Sequence, residues 1–121
     1  MKKYLFISLG AMIGALLRSS ISFATVSGAS PFFMGTLIVN MSGAFVAGVL
    51  LRRFHDREGH LRDFLITGLL GSFTTFSMLT YEQYLLLSYG EYFIFIIYLA
   101  VNMAGGFCLA LLGWKAGGMG R

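Results

Sequence analysis

The chain has 121 residues, of which 57% are hydrophobic and only 12% charged, with a mean hydropathy of +0.78. A water-soluble domain of this length needs more polar surface than that to cover one core, so a soluble globular protein is excluded. Nine Lys and Arg against five Asp and Glu give a net charge of +4, and a single Cys excludes a disulfide framework.

Four apolar stretches can be read in chain order, over residues 4–26, 32–51, 64–88 and 92–114. Each is about 20 residues or longer, enough for a helix to cross a hydrocarbon layer roughly 30 Å thick. Backbone in that layer must satisfy its own hydrogen bonds, and the stretches show no strict alternation, so helices are expected rather than strands. The predicted fold is an all-α membrane protein of four transmembrane helices in one domain, residues 1–121.

The first stretch follows Met1-Lys2-Lys3, as a secretory leader would, but it runs on past Arg18 without a small-x-small cleavage site and is read as the first span. Gly10 and Gly14, with Ala11 and Ala15 beside them, give it a face of small residues on which another helix can approach closely. Ser30-Pro31 is expected to cap the second span and to put proline in its first turn, where the missing N–H costs nothing. Gly43, Ala47 and Gly48 form a small face there too.

The loop over residues 52–63 carries Arg52, Arg53, Arg57 and Arg62. Asp56, Glu58 and Asp63 cut its field, so it reads as a solvated loop that fixes orientation, and no nucleic-acid partner is expected. His55 and His60 lack a third His or a Cys to complete a metal site and are read as loop residues.

The third span contains Thr67-Gly68-Leu69-Leu70-Gly71-Ser72-Phe73-Thr74-Thr75-Phe76-Ser77, two glycines and several hydroxyls inside an apolar run. Gly and Thr are weak helix formers. One reading is a helix broken near Gly71–Thr75, where unwound carbonyls bind cations and free N–H groups bind anions. The other is a continuous helix whose hydroxyls bond back to their own backbone. In the fourth span Gly105, Gly106 and Gly113 supply another small face, and Cys108 is a packing or lipid-facing residue. Such small faces argue for tight packing against a second subunit, in preference to ordinary packing inside one bundle.

Asn40, Glu82 and Asn102 are the polar side chains that cost free energy inside a span, so each is a functional candidate. Glu82 falls beyond Ser77, nearer the outer mouth. No nucleophile–base pair, metal-ligand cluster or phosphate loop is present, so no enzyme is expected. Lys2, Lys3, Arg52, Arg53, Arg57, Arg62, Lys115 and Arg121 fall on one side of four spans, and only Arg18 on the other. Basic ends stay inside. Both termini and the 52–63 loop are therefore expected in the cytoplasm, in a multi-pass protein of the plasma membrane.

Three motifs, at matching spacing across nearly the whole chain, resemble those of the Fluc (CrcB-like) fluoride channels. They are Gly10-x-x-Gly14-Ala15-x-x-Arg18, Gly35-Thr36-Leu37-x-Val39-Asn40-x-x-Gly43, and Gly68-x-x-Gly71-x-x-Thr74-Thr75-Phe76-Ser77 followed by Glu82. The resemblance implies a dimer of antiparallel subunits in the lipid bilayer, with pores between them through which fluoride leaves the cell passively. It implies a structural sodium ion at the dimer centre, held by the backbone carbonyls of Gly71 and Thr74. It implies fluoride coordination by Asn40 and the ring edge of Phe76, with Ser77, Tyr98 and Asn102 along the pore and Arg18 and Glu82 at the vestibules.

The chain departs from the family pattern at Leu79, where a second phenylalanine is usual, and at Gly106 and Ala110, where hydroxyls are usual. A homodimer of opposed copies needs balanced loops, and eight basic residues against one are not balanced. A homologous partner of opposite bias is therefore expected in preference to a second copy. Two other readings compete: a non-conducting partner subunit of such a channel, and a small multidrug transporter subunit. The latter needs an acidic residue in the first span, and residues 4–26 contain none.

Overall fold

A computed structural model describes residues 1–26 and 31–119. Four helices are long and apolar enough to cross a membrane: α1 (Lys2–Val26), α2 (Met34–Arg53), α3 (His60–Ser88) and α4 (Tyr92–Gly118). No strand occurs among the described residues. The chain is thus an all-helical, multi-pass membrane protein, and its third helix is interrupted as one of the two sequence readings expected.

The start of α2 differs from expectation. The helix begins at Met34, and Pro31 stands before it in a turn closed by the Met34 N–H on the Pro31 carbonyl at 3.0 Å. The expected cap residue Ser30 lies outside the described residues, as does Arg121.

The small faces are used inside the chain. α1 packs on the first half of α3, and α2 on the second half of α4. A Cβ at Gly14 would overlap the Leu69 carbonyl oxygen, and one at Gly113 would overlap the Phe45 carbonyl oxygen. Only glycine lets these backbones meet. The Ser72 hydroxyl adds a 2.7 Å bond to the Ala11 carbonyl across the same α1–α3 seam.

Two stretches widen to π-helix, Asp63–Leu70 in α3 and Val101–Gly105 in α4. A π-turn inserts one residue per turn and re-aims the side chains that follow it. The second of these carries Asn102 and faces it into the subunit.

At the basic end, aromatic contacts tie the loop to the helices. The Arg52 guanidinium lies 5.2 Å over the Trp114 ring, and His55 meets the same ring edge-on. His60 stacks on Phe6 at 4.9 Å, and Lys3 approaches Asp63 at 3.9 Å. The two histidines therefore sit against different rings from different helices.

Candidate functional site

The break lies at Thr74 and Thr75. Both adopt extended backbone, with φ/ψ of −74°/153° and −142°/122°. Ahead of it, the Thr74 N–H and hydroxyl both donate to the Leu70 carbonyl, at 3.2 and 3.0 Å, and close the first half of α3. Behind it, Thr75 caps the second half, its hydroxyl accepting from the Met78 N–H at 3.2 Å. A short hydroxyl at this position is a preferred helix start.

The carbonyls of Gly71 and Thr74 are among those that lose their helical partners as a result. An α-helix pairs the carbonyl of residue i with the N–H of residue i+4. The Thr75 N–H that Gly71 would receive donates instead to Asn40 Oδ1 at 2.9 Å. The Met78 N–H that Thr74 would receive goes to the Thr75 hydroxyl. Gly71 and Thr74 are the two residues whose carbonyls the sequence resemblance assigned to a cation.

Asn40 projects from α2 into the break. Its Nδ2 donates to the Thr75 carbonyl at 3.0 Å and, at a long 3.4 Å, to Asn102 Oδ1. Asn102 in turn donates to the Tyr98 carbonyl one helical turn back, at 3.0 Å. Asn40, Asn102, Gly71, Thr74 and Phe76 share an open cavity of about 430 Å³. The Phe76 ring is 73% exposed in the single chain. A second cleft, of about 610 Å³, is lined by Arg18, Ser19, Ser22 and Ser77. Thr75 borders both, so the break is the wall between them.

The residues assigned to the pore and vestibules are therefore not all together. Ser77 faces the Arg18 cleft rather than Asn40. Tyr98 turns inward, and its hydroxyl donates to Glu82 Oε2 at 2.7 Å. Glu82, expected near an aqueous mouth, is 5% exposed, and its other oxygen accepts from the Thr36 hydroxyl at 2.8 Å. Thr36 and Thr75 both lie in the motifs, yet motif reading assigns neither side chain a role. Their partners come from other elements, 46 and 35 residues away.

The chain belongs to the CrcB-like family. The pattern of the family described as "CrcB-like protein, Camphor Resistance (CrcB)" matches residues 5–114. Two similar proteins bear this out over full length. "Fluoride-specific ion channel FluC" of Thermus thermophilus is 40% identical over 122 residues, covering 98% of this chain and 97% of that protein. "Fluoride-specific ion channel FluC 1" of Staphylococcus aureus is 35% identical over 119 residues, covering 96% of this chain and 97% of its own. In this CrcB-like chain Leu79, the position where the sequence departs from the motif, packs with Leu86 and Tyr98 in the core.

One further residue was invisible to motif reading. Gln83 lies on the α3 face that also buries Leu79 and Leu86, is 7% exposed, and neither polar atom of its amide has a partner among the described residues. A buried amide without hydrogen bonds costs about 1–3 kcal/mol. A Gln83→Leu variant of this CrcB-like chain is therefore expected to unfold at higher temperature in detergent, by an increment of that order. Unchanged or lower stability would show that the amide has partners after all. Its spacing from Leu79 and Leu86, four and three residues, is the helical signal that marks it as inward-facing.

Proposed function

We propose that this chain is a subunit of a passive, fluoride-selective channel that lets fluoride leave the cytoplasm across the plasma membrane. The observation that carries the proposal is the interrupted third helix, with Asn40, Asn102 and the exposed ring of Phe76 gathered on one open cavity beside it. The names of its relatives supply the ion.

Fluoride is small and strongly hydrated, so a path through hydrocarbon must replace its water with donors. Asn40 has one amide hydrogen held loosely, at 3.4 Å by Asn102, and this is the one an anion can take. A phenyl ring has an electropositive edge, and the Phe76 ring is free to present it. The Arg18 cleft, lined by hydroxyls, concentrates anions next to the break. Hydrogen fluoride enters cells as a neutral molecule and releases fluoride there; a passive path returns the trapped anion down its gradient.

Unwound backbone at membrane depth is tolerated only where protein buries it or a cavity is wet. The open cavity of one chain leaves Phe76 uncovered, which supports assembly with a second, antiparallel subunit. The bias of eight basic residues to one side favours cytoplasmic termini and a homologous partner of opposite bias over a second copy. A sodium ion fits the break, because the Gly71 and Thr74 carbonyls have both lost their helical donors and the partner would bring its own pair. Bound there, sodium would supply a fixed positive charge between the subunits.

A second reading, a non-conducting partner subunit, draws on Leu79, which lines the same cavity but offers no ring edge. Fluoride efflux from liposomes carrying this chain alone, and with a homologous subunit of opposite charge bias, separates the two. The channel reading expects efflux from at least the paired preparation, abolished by Asn40→Leu in this chain. Efflux that persists unchanged in that variant would support the non-conducting reading.

A further inference from the structure

We propose that Asn40 is the positioning residue of the helix break, a two-point amide clamp on the main chain of Thr75 whose orientation Asn102 fixes. The clamp's Oδ1 accepts from the Thr75 N–H at 2.9 Å and its Nδ2 donates to the Thr75 carbonyl at 3.0 Å. One residue can offer both groups to one partner only when its backbone is extended, as in the paired residues of an antiparallel ladder. In a helix they point in opposite directions along the axis. Clamping and helix are therefore mutually exclusive at Thr75, and its φ/ψ of −142°/122° is the clamped state.

The amide has only one workable orientation. Turned over, its oxygen would face the Thr75 carbonyl and its nitrogen the Thr75 N–H. It would also face Asn102 Oδ1 oxygen to oxygen. Asn102 cannot turn to relieve this, because its own Nδ2 is bound to the Tyr98 carbonyl. The π-turn over Val101–Gly105 carries Asn102 to this position.

Two consequences follow for the site. The clamp takes the N–H that would otherwise bind the Gly71 carbonyl, so it is what frees that carbonyl. It also fixes the residue immediately before Phe76, and so the start of the half-helix from which that ring projects. The same amide thus serves two ends: one hydrogen and its oxygen hold the break, and the other hydrogen, held only at 3.4 Å by Asn102, is the one an ion can take. The link to transport rests on the fluoride reading above, but the geometry does not, so the test reads the backbone first.

The experiment is amide hydrogen exchange on the full chain in detergent or lipid nanodiscs. Asn40→Ala is expected to speed exchange at Thr75 about ten-fold or more, the scale for losing one buried hydrogen bond, while amides of α1 and the α2–α4 seam are unchanged. Asn40→Asp keeps an acceptor for the Thr75 N–H but sets an oxygen against the Thr75 carbonyl and Asn102 Oδ1, so it is expected to fall between wild type and Asn40→Ala. Asn102→Ala, which removes no hydrogen bond to Thr75, is expected to give an intermediate increase. Thr75 equally protected in Asn40→Ala would overturn the clamp and leave Asn40 as an ion ligand alone. If Asn40→Ala does not fold, unchanged Thr75 exchange in Asn102→Ala overturns it. Fluoride efflux measured on the same variants keeps the two ideas apart. Faster exchange in variants of a chain that never passes fluoride would sink the channel reading and leave the clamp standing.

Discussion

Removing both hydroxyls that hold Glu82, in a Thr36→Val, Tyr98→Phe double variant, is expected to destabilise the chain by about 3–5 kcal/mol, the range for stranding a buried charge. The reason lies in the geometry. Each carboxylate oxygen accepts from one hydroxyl, at 2.8 and 2.7 Å, and the group is buried between α2, α3 and α4. Those two donors replace the water that Glu82 loses on burial. Without them Glu82 keeps no hydrogen-bond donor among the described residues. The penalty belongs to the stranded group and not to the bonds as such, so a third substitution, Glu82→Leu, is expected to recover most of the lost stability. Thermal unfolding in detergent of the double and triple variants checks this. A triple variant no more stable than the double would show that Glu82 was never dependent on these donors.

Phe76→Leu is expected to separate transport from folding. The ring is 73% exposed in the chain, so replacing it with another apolar side chain changes little buried surface, and unfolding of the chain should shift by no more than about 0.5 kcal/mol. Leucine has no electropositive edge, and an edge contact is worth up to about 1.5 kcal/mol, so fluoride efflux is expected to fall about ten-fold. Equal efflux from wild type and variant would remove the ring from the ion path. A loss of folding along with efflux would instead make Phe76 a packing residue at a subunit interface.

Much of the architecture was legible in the sequence because its cause is local. Four apolar runs of spanning length, separated by short polar or turn-forming stretches, can be little else in a bilayer. The break was legible as one of two readings, since Gly68, Gly71, Thr74 and Thr75 are weak helix formers in a place where helix should be strong. What decided between the readings was not local. Asn40 meets Thr75 across 35 residues, and no spacing rule links them. The partners of Glu82 were hidden for the same reason: a carboxylate past the middle of a span is placed by sequence only near a mouth, and Thr36 and Tyr98 reach it from other helices. The π-turns left no sequence mark at all, and the one in α4 decides where Asn102 points. The start of α2 slipped by two residues because Pro31 fits a turn before a helix as well as a first turn. The glycine faces are contact surfaces, as expected, but Gly14 and Gly113 meet backbone of the same chain rather than a second subunit, because residue spacing marks a close approach without naming the helix that makes it.

Fluoride release from liposomes, followed with a fluoride electrode while potassium and valinomycin carry the compensating charge, tests the central claim most directly. The chain, alone or paired with a homologous subunit of opposite charge bias, is predicted to release trapped fluoride rapidly and to retain trapped chloride. Release no faster than from protein-free liposomes, in both preparations, would contradict it.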